Sequence, residues 1–150
     1  MIRATDIAEL LELAARTARG AGYWLFPDAP ASSTATTPFF LPYEELAQRE
    51  ADLCASLAAQ GLRRGDRLAF IIPQQDLALG LWFACLRSGI CPIAIREPFT
   101  ASELAAHPQR VAQLVAANDA RALVLTSRSE AVLSAEPPDV PMFLLDPHVE

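Results

Sequence analysis

The chain has 150 residues, 52% of them hydrophobic and 20% charged, with a formal net charge of −6. That length favours one domain, or one piece of a larger one, and the apolar share is ordinary for a soluble globular protein. All 12 basic residues are arginine, so these residues supply no lysine amine, and a net acidic chain without a basic stripe is a poor nucleic-acid binder.

The first helix is predicted over Thr5 to Arg19. Thr5 or Asp6 can cap it, and Glu9 sits in the first turn, where a carboxylate suits the helix dipole. Ile7, Leu10, Leu11 and Ala14 form one stripe at helical spacing, expected to pack on the domain. Gly20 and Gly22 end the helix. Tyr23–Phe26 and Phe39–Leu41 are short strands that can pair as a hairpin, and residues 27–38, rich in Pro, Ser, Thr and Ala, are expected to be a flexible internal loop.

Pro42 to Gln60 reads as a helix with proline in its first turn. Leu46, Ala47, Leu53, Cys54, Leu57 and Ala58 fill one face, and Glu44, Glu45, Gln48, Arg49 and Asp52 the other. Gly61 supplies the left-handed stop. After the Gly65-Asp66 turn, Arg67 to Ile72 is an apolar run without alternation, the mark of a strand buried on both faces. Asp76 to Ser88 is a helix apolar nearly all round, and Ile90 to Ile95 is the next strand. A helix follows from about Pro108 to Asn118, with Ser102–Ala106 as its backward extension. Ala122–Thr126 is a strand, Ser129–Ala135 a short helix, and Pro141–Leu145 the last strand. From Arg67 the order is βαβαβ(α)β. The fold class is therefore α/β: a mostly parallel sheet with flanking helices, preceded by a helix and a short hairpin.

No apolar run approaches the roughly 18–20 residues of a bilayer span. The first residues lack the apolar core of a secretory signal, and Asp6, Glu9 and Glu12 argue against a transit peptide, so the cytoplasm is the expected compartment. Cys54, Cys85 and Cys91 form no Cys-x-x-Cys pair and are expected to be buried small hydrophobes in a reducing compartment. His107 and His148 stand alone beside prolines, far short of the three or four convergent ligands of a metal site.

An α/β sheet binds ligands at the carboxyl ends of its strands. Three polar segments lie there: Gln74-Gln75-Asp76, Arg96-Glu97 and Thr126-Ser127-Arg128-Ser129. The first and last can offer a helix N-terminus to an anion, but Gln75, Asp76, Ser and Thr are also ordinary helix caps, and the cap is the favoured role. Arg96 and Glu97 can touch a substrate or pair with each other. No Gly-x-Gly-x-x-Gly, Gly-x-x-x-x-Gly-Lys or Gly-x-Ser-x-Gly pattern occurs. No catalytic, cofactor-binding or metal-binding residue is assigned.

The central stretch resembles the opening of the adenylate-forming enzymes, which comprise acyl-CoA synthetases, fatty acyl-AMP ligases and nonribosomal-peptide adenylation domains. The likeness rests on Pro42-Tyr43-Glu44-Glu45-Leu46, which matches a Thr-Tyr-x-Glu-Leu helix start. It continues through Gly61-Leu62-Arg63-Arg64-Gly65-Asp66-Arg67-Leu68, Ile72-Pro73, Ala84–Gly89 and Ile90-Cys91-Pro92-Ile93. The elements at Pro108–Val115 and Ala122–Thr126 follow in the family's order, with a spacing closest to the fatty acyl-AMP ligase branch.

The resemblance implies a single α/β domain over 1–150, or the N-terminal fragment of a larger adenylating domain. It implies a parent enzyme that activates a carboxylic acid, fatty or other acyl, with ATP and Mg2+ to give acyl-AMP. The family's phosphate loop, adenine and ribose motifs and catalytic lysine are absent here; the resemblance places them beyond Glu150. No family catalytic residue therefore falls on these positions, no cofactor is expected for this chain alone, and no activity is expected alone. The partner implied is the remainder of the synthetase or an acyl carrier protein. The alternative is a non-catalytic α/β interaction module that docks a carrier protein or the rest of a split synthetase.

Overall fold

The computed structural model describes residues 7–26, 37–98, 100–134 and 136–146. The elements run α1 (Ile7–Thr17), β1 (Gly22–Leu25), β2 (Phe39–Pro42), α2 (Tyr43–Ala59), β3 (Arg67–Ile71), α3 (Gln75–Ser88), β4 (Cys91–Ala94), α4 (Ala101–Ala117), β5 (Ala122–Leu125), α5 (Ser127–Leu133) and β6 (Met142–Leu144). The chain forms two compact units. One comprises residues 1–61 and 74–88; the other comprises residues 62–73 and 89–150. The caps proposed at Thr5 and Asp6, most of the loop at 27–38, Ala135 and His148 lie outside the described residues. No helix among the described residues is long and apolar enough to cross a membrane.

In the first unit, β1 and β2 pair antiparallel, Trp24 opposite Phe40 and Leu25 opposite Phe39. Gly22 opens this hairpin because a Cβ there would lie 2.1 Å from the Leu41 carbonyl oxygen. Pairing with period two sends Leu25 and Leu41 inward, where they join Leu11 and Leu46 in a core that Tyr43, Leu79 and Phe83 complete. Trp24 and Phe40 face outward with ring centroids 5.3 Å apart. Helices α1, α2 and α3 pack on one another.

Pro42 is the N-cap of α2, not a first-turn residue. Its ψ of 147° is extended, which lets it close β2 while the helix begins at Tyr43. Two expectations for the helical faces fail. Ile7 and Leu10 are more than half exposed, and the buried residues of α1 are Ala8 and Leu11. In α2, Ala58 is exposed and Glu50, only 2% exposed, is buried.

Glu50 is buried because Arg87 of α3 meets it. The Arg87 guanidinium binds both Glu50 carboxylate oxygens, donates to the Ala8 carbonyl of α1 at 3.2 Å, and pairs with Glu12 at 3.5 Å. Hydrogen bonding to Glu50 is the largest cause raising the Arg87 pKa, so the guanidinium is held charged. Arg49 makes a second tie, from Glu45 at 2.7 Å across to Asp76 of α3.

The second unit holds a four-stranded sheet in the order β4-β3-β5-β6, every pairing parallel. The predicted α/β class and mostly parallel sheet are as observed. Positions of both parities in β3 and β5 are buried, from Leu68 to Ile71 and from Ala122 to Leu125, which explains runs with no polar alternation. Ala69, Ile71, Leu123 and Leu125 share one core with Val111 and Val115 of α4 and Leu133 of α5.

Helix α4 continues through Pro108 without a break. The ring costs the Leu104 carbonyl its helical partner, and Leu104 is exposed, so water can satisfy it. Among the cysteines, Cys85 is buried, Cys54 half-buried and Cys91 exposed. Cys91 departs from the expectation because it opens the edge strand β4.

Candidate functional site

The carboxyl edge of the parallel sheet is where an α/β fold places a ligand. In the strand order β4-β3-β5-β6, the links after β3 and β5 leave in opposite directions, so the topological switch lies between these two strands. Ile95 extends the β4 ladder with a bond to the Phe70 carbonyl at 2.9 Å. The chain then leaves through Arg96 and Glu97, while Thr126 follows the end of β5.

Arg96 and Glu97 do not pair with each other. Arg96 reaches Glu103 of α4 at 2.7 Å. Glu103 also closes a capping box: its backbone N–H donates to Thr100 Oγ1 at 3.1 Å, and its carboxylate accepts from the Thr100 N–H at 3.2 Å. Glu97 accepts from Ser129 Oγ at 2.8 Å. Ser129 and Thr126 hydroxyls lie 3.1 Å apart. Ser129 spends its proton on Glu97, so Thr126 is the donor in that pair, and the chain runs Thr126 to Ser129 to Glu97. Thr126 also caps α5, accepting from the Ser129 N–H.

This relay ties the ends of β4 and β5 together. It is not a nucleophile. Thr126 and Ser129 are each 2% exposed, and the Ser129 hydroxyl is already bonded to Glu97 and Thr126. The cap reading of Thr126-Ser127-Arg128-Ser129 is the one observed. Beyond β6, Asp146 accepts from the Ser127 N–H at 2.9 Å and from its hydroxyl. Those bonds hold the Asp146 carboxyl below its usual range, the hydroxyl contributing most.

An open cleft of about 270 Å3 lies at this edge, with Glu97, Thr100, Leu104, Arg128 and Val132 in its wall. A second, of about 400 Å3, lies at the amino edge among Asp66, Arg67, Asp119 and Arg121. Its charges alternate and pair: Arg67 with Asp119 at 3.1 Å and Arg121 with Asp66 at 3.4 Å.

The third predicted segment belongs to the first unit. Gln75 donates to the Phe26 carbonyl at 3.0 Å and Asp76 binds Arg49, so neither of these bonds caps α3. Gln74 Oε1 is buried without a partner among the described residues. The Cys54 thiol is pushed up by burial, which makes it a poor nucleophile. No group of three or more His, Cys, Asp or Glu could hold a metal among the described residues.

No protein-family model matches the chain. Feruloyl-CoA synthases of Amycolatopsis sp. and Streptomyces sp. are each 32% identical over 118 residues, 71% of this chain and 24% of theirs. A fatty acid AMP ligase from Legionella pneumophila superposes with a TM-score of 0.74 at 16% identity, covering 95% of this chain and 23% of that one. McyG A-PCP, complexed with phenylalanyl-adenylate, superposes with a TM-score of 0.74 at 15% identity over 96% of this chain and 26% of that one. The chain belongs to the adenylate-forming superfamily.

It spans about a quarter of the length of the curated relatives it matches first. The residues present do not fit the nucleotide or Mg2+ of that superfamily. The α4 N-terminus is closed by its own capping box, and the chain has no lysine. Each carboxylate bonded at the carboxyl edge is engaged by Arg96, Ser127 or Ser129. What sequence reasoning missed here is the Glu97–Ser129 bond, which links residues 32 apart and has no sequence signal.

Proposed function

We propose that these residues act as scaffold in an acyl-activating ligase. The reaction of the whole enzyme would be attack of a carboxylate, fatty or other acyl, on the α-phosphate of ATP with Mg2+, giving acyl-AMP and pyrophosphate. This segment supplies parallel strands and part of the wall of the acyl or partner-binding surface. The observation that carries the reading is the self-satisfied carboxyl edge within an adenylate-forming fold. Its hydroxyls and carboxylates hold the strand ends in place and leave no group poised for acid, base or nucleophilic work. The natural partner is then the remainder of the synthetase, and the expected compartment is the cytoplasm.

The test is pyrophosphate exchange by the 150-residue chain with MgATP and ferulate, acetate or a long-chain fatty acid. The expected rate is that of the blank. Exchange above the blank, dependent on the acid, overturns the reading.

A docking module for an acyl carrier protein is the second reading. It draws on the outward aromatic face of the hairpin, where Trp24 and Phe26 are more than 60% exposed. Saturable binding of a carrier protein, lost in Trp24→Ser, would favour it.

A further inference from the structure

The amino edge of the parallel sheet holds charge that the fold does not use. Its rim is built from the turns that precede β3, β4 and β5, all in the second unit. Arg63, Arg64, Arg67 and Arg121 stand there against Asp66 and Asp119. Four arginines against two aspartates leave a local balance of +2, in a chain whose formal net charge is −6. Towards β6 the sign reverses, since Glu136 and Asp139 precede that strand.

Two of the four arginines are committed. Arg67 donates to the Asn118 carbonyl at the end of α4, at 2.8 Å, and to Asp119. Arg121 pairs with Asp66 at 3.4 Å. Arg63 and Arg64 are exposed, and among the described residues neither forms an ion pair.

The turn that carries them is nevertheless fixed. The Asp66 N–H donates to the Arg63 carbonyl at 3.0 Å, and the Arg63 N–H donates to the Asp66 carboxylate at 2.8 Å. Gly65 donates to the Gly89 carbonyl and Cys91 to the Asp66 carbonyl, each at 2.8 Å. The Arg64 side chain lies along the turn before β4: a Cβ at Gly89 would come within 3.0 to 3.1 Å of its Cγ, Nε and Cζ. Gly89 has a φ of +68°, so its backbone already favours glycine, and the missing Cβ leaves a bed for the arginine stem. Two uncompensated guanidinia are thus presented from a braced turn, beside the open cleft of about 400 Å3.

We infer that this turn is a docking site for an acidic protein segment, one that sets two neighbouring carboxylates on Arg63 and Arg64. A guanidinium fork matches a carboxylate with two parallel hydrogen bonds, and bracing the turn lowers the ordering cost of making them. Two free guanidinia match two carboxylates. A nucleic-acid backbone, with its dense row of phosphates, would run on into Asp66, Asp119 and Asp139. Neither the charges nor the turn depends on the acyl-ligase reading, so the failure of one leaves the other standing.

The probe is a blocked hexaglutamate peptide titrated into the 15N-labelled 150-residue chain, with hexaglutamine as the control. The readout is the shift of the Arg63 and Arg64 side-chain Nε–H and backbone amide signals. Saturable shifts are expected at Arg63, Arg64 and Gly65 with hexaglutamate and none with hexaglutamine. The affinity should fall about tenfold as salt rises from about 20 to about 200 mM, because exposed charges are screened. Arg63→Gln with Arg64→Gln should weaken binding about tenfold or more, while Arg63→Lys with Arg64→Lys keeps most of it. Arg16→Gln with Arg19→Gln makes the same change of net charge in the first unit and should leave the affinity within about twofold.

The absence of a saturable shift at Arg63 and Arg64 overturns the inference. So does an equal loss in the Arg16 and Arg19 variant, which would make the attraction one of net charge. Tighter binding of a hexathymidylate than of hexaglutamate overturns the choice of a protein partner. Shifts at Arg63 and Arg64 that grow with chain concentration, without peptide, overturn it in favour of a second copy of this chain.

Discussion

The two units bury an ionisable group in opposite ways. In the first, Glu50 is buried as one half of an ion pair with Arg87, and the same guanidinium holds the Ala8 carbonyl. In the second, His107 lies on the buried face of α4 with Val111 and Val115. Its pKa is pushed below the ordinary 6.5, burial being the largest cause; Glu97 and Glu103 oppose that shift, and Arg110 and Arg96 add to it. One unit keeps a charge and supplies its partner. The other keeps the group neutral. The difference teaches that the first unit depends on a specific pair, the second on staying uncharged.

The largest expected effect breaks the pair. Arg87→Ala leaves Glu50 buried and alone and should cost about 3 kcal/mol, the low end for a broken buried pair because Arg87 is itself one-third exposed. Urea unfolding followed by tryptophan fluorescence reads it directly, since Trp24 and Trp82 both belong to the first unit. Replacing both partners by methionine should recover most of the loss, because an apolar pair of similar volume needs no compensation. A loss in Arg87→Ala below about 1 kcal/mol, the range of a surface pair, would show that the bond is not holding the helices.

The smaller effect is one of pH. A lowered His107 pKa means that the folded protein binds fewer protons than the unfolded chain below pH 6.5. The stabilisation is full at neutral pH and shrinks as pH falls through 6.5 toward the folded pKa. Amide exchange at Val111 should therefore quicken between pH 7.5 and 5.5, after correction for intrinsic rates, and His107→Gln should flatten that trend. An equal slope in both proteins would place the acid sensitivity elsewhere.

The contrast also marks what the sequence discloses. Strands β3 and β5 are legible because burial on both faces forbids polar residues, leaving Leu68–Ile71 and Ala122–Leu125 unbroken. The hairpin is legible from two short aromatic runs, Tyr23–Phe26 and Phe39–Leu41. Glu50 was legible in principle: it lies on the stripe Leu46, Glu50, Leu53, Leu57, at spacings of four, three and four. A reading that sorts charged residues outward passes over it, because its partner is 37 residues away. Ile7 and Leu10 mislead for the converse reason, being apolar on a helix whose buried residues are Ala8 and Leu11. At the carboxyl edge the polar segments were found at the right strand ends, but the bonds that commit them to one another exist only once β4 and β5 stand on either side of β3.

The most direct test of the scaffold role is a titration of the 15N-labelled chain with MgATP, with MgCl2 alone as the control. The expected result is no saturable shift at Thr100, Ala101 or the segment from Thr126 to Ser129. Saturable shifts there, absent with MgCl2, would contradict it by showing a nucleotide held at the carboxyl edge of this sheet.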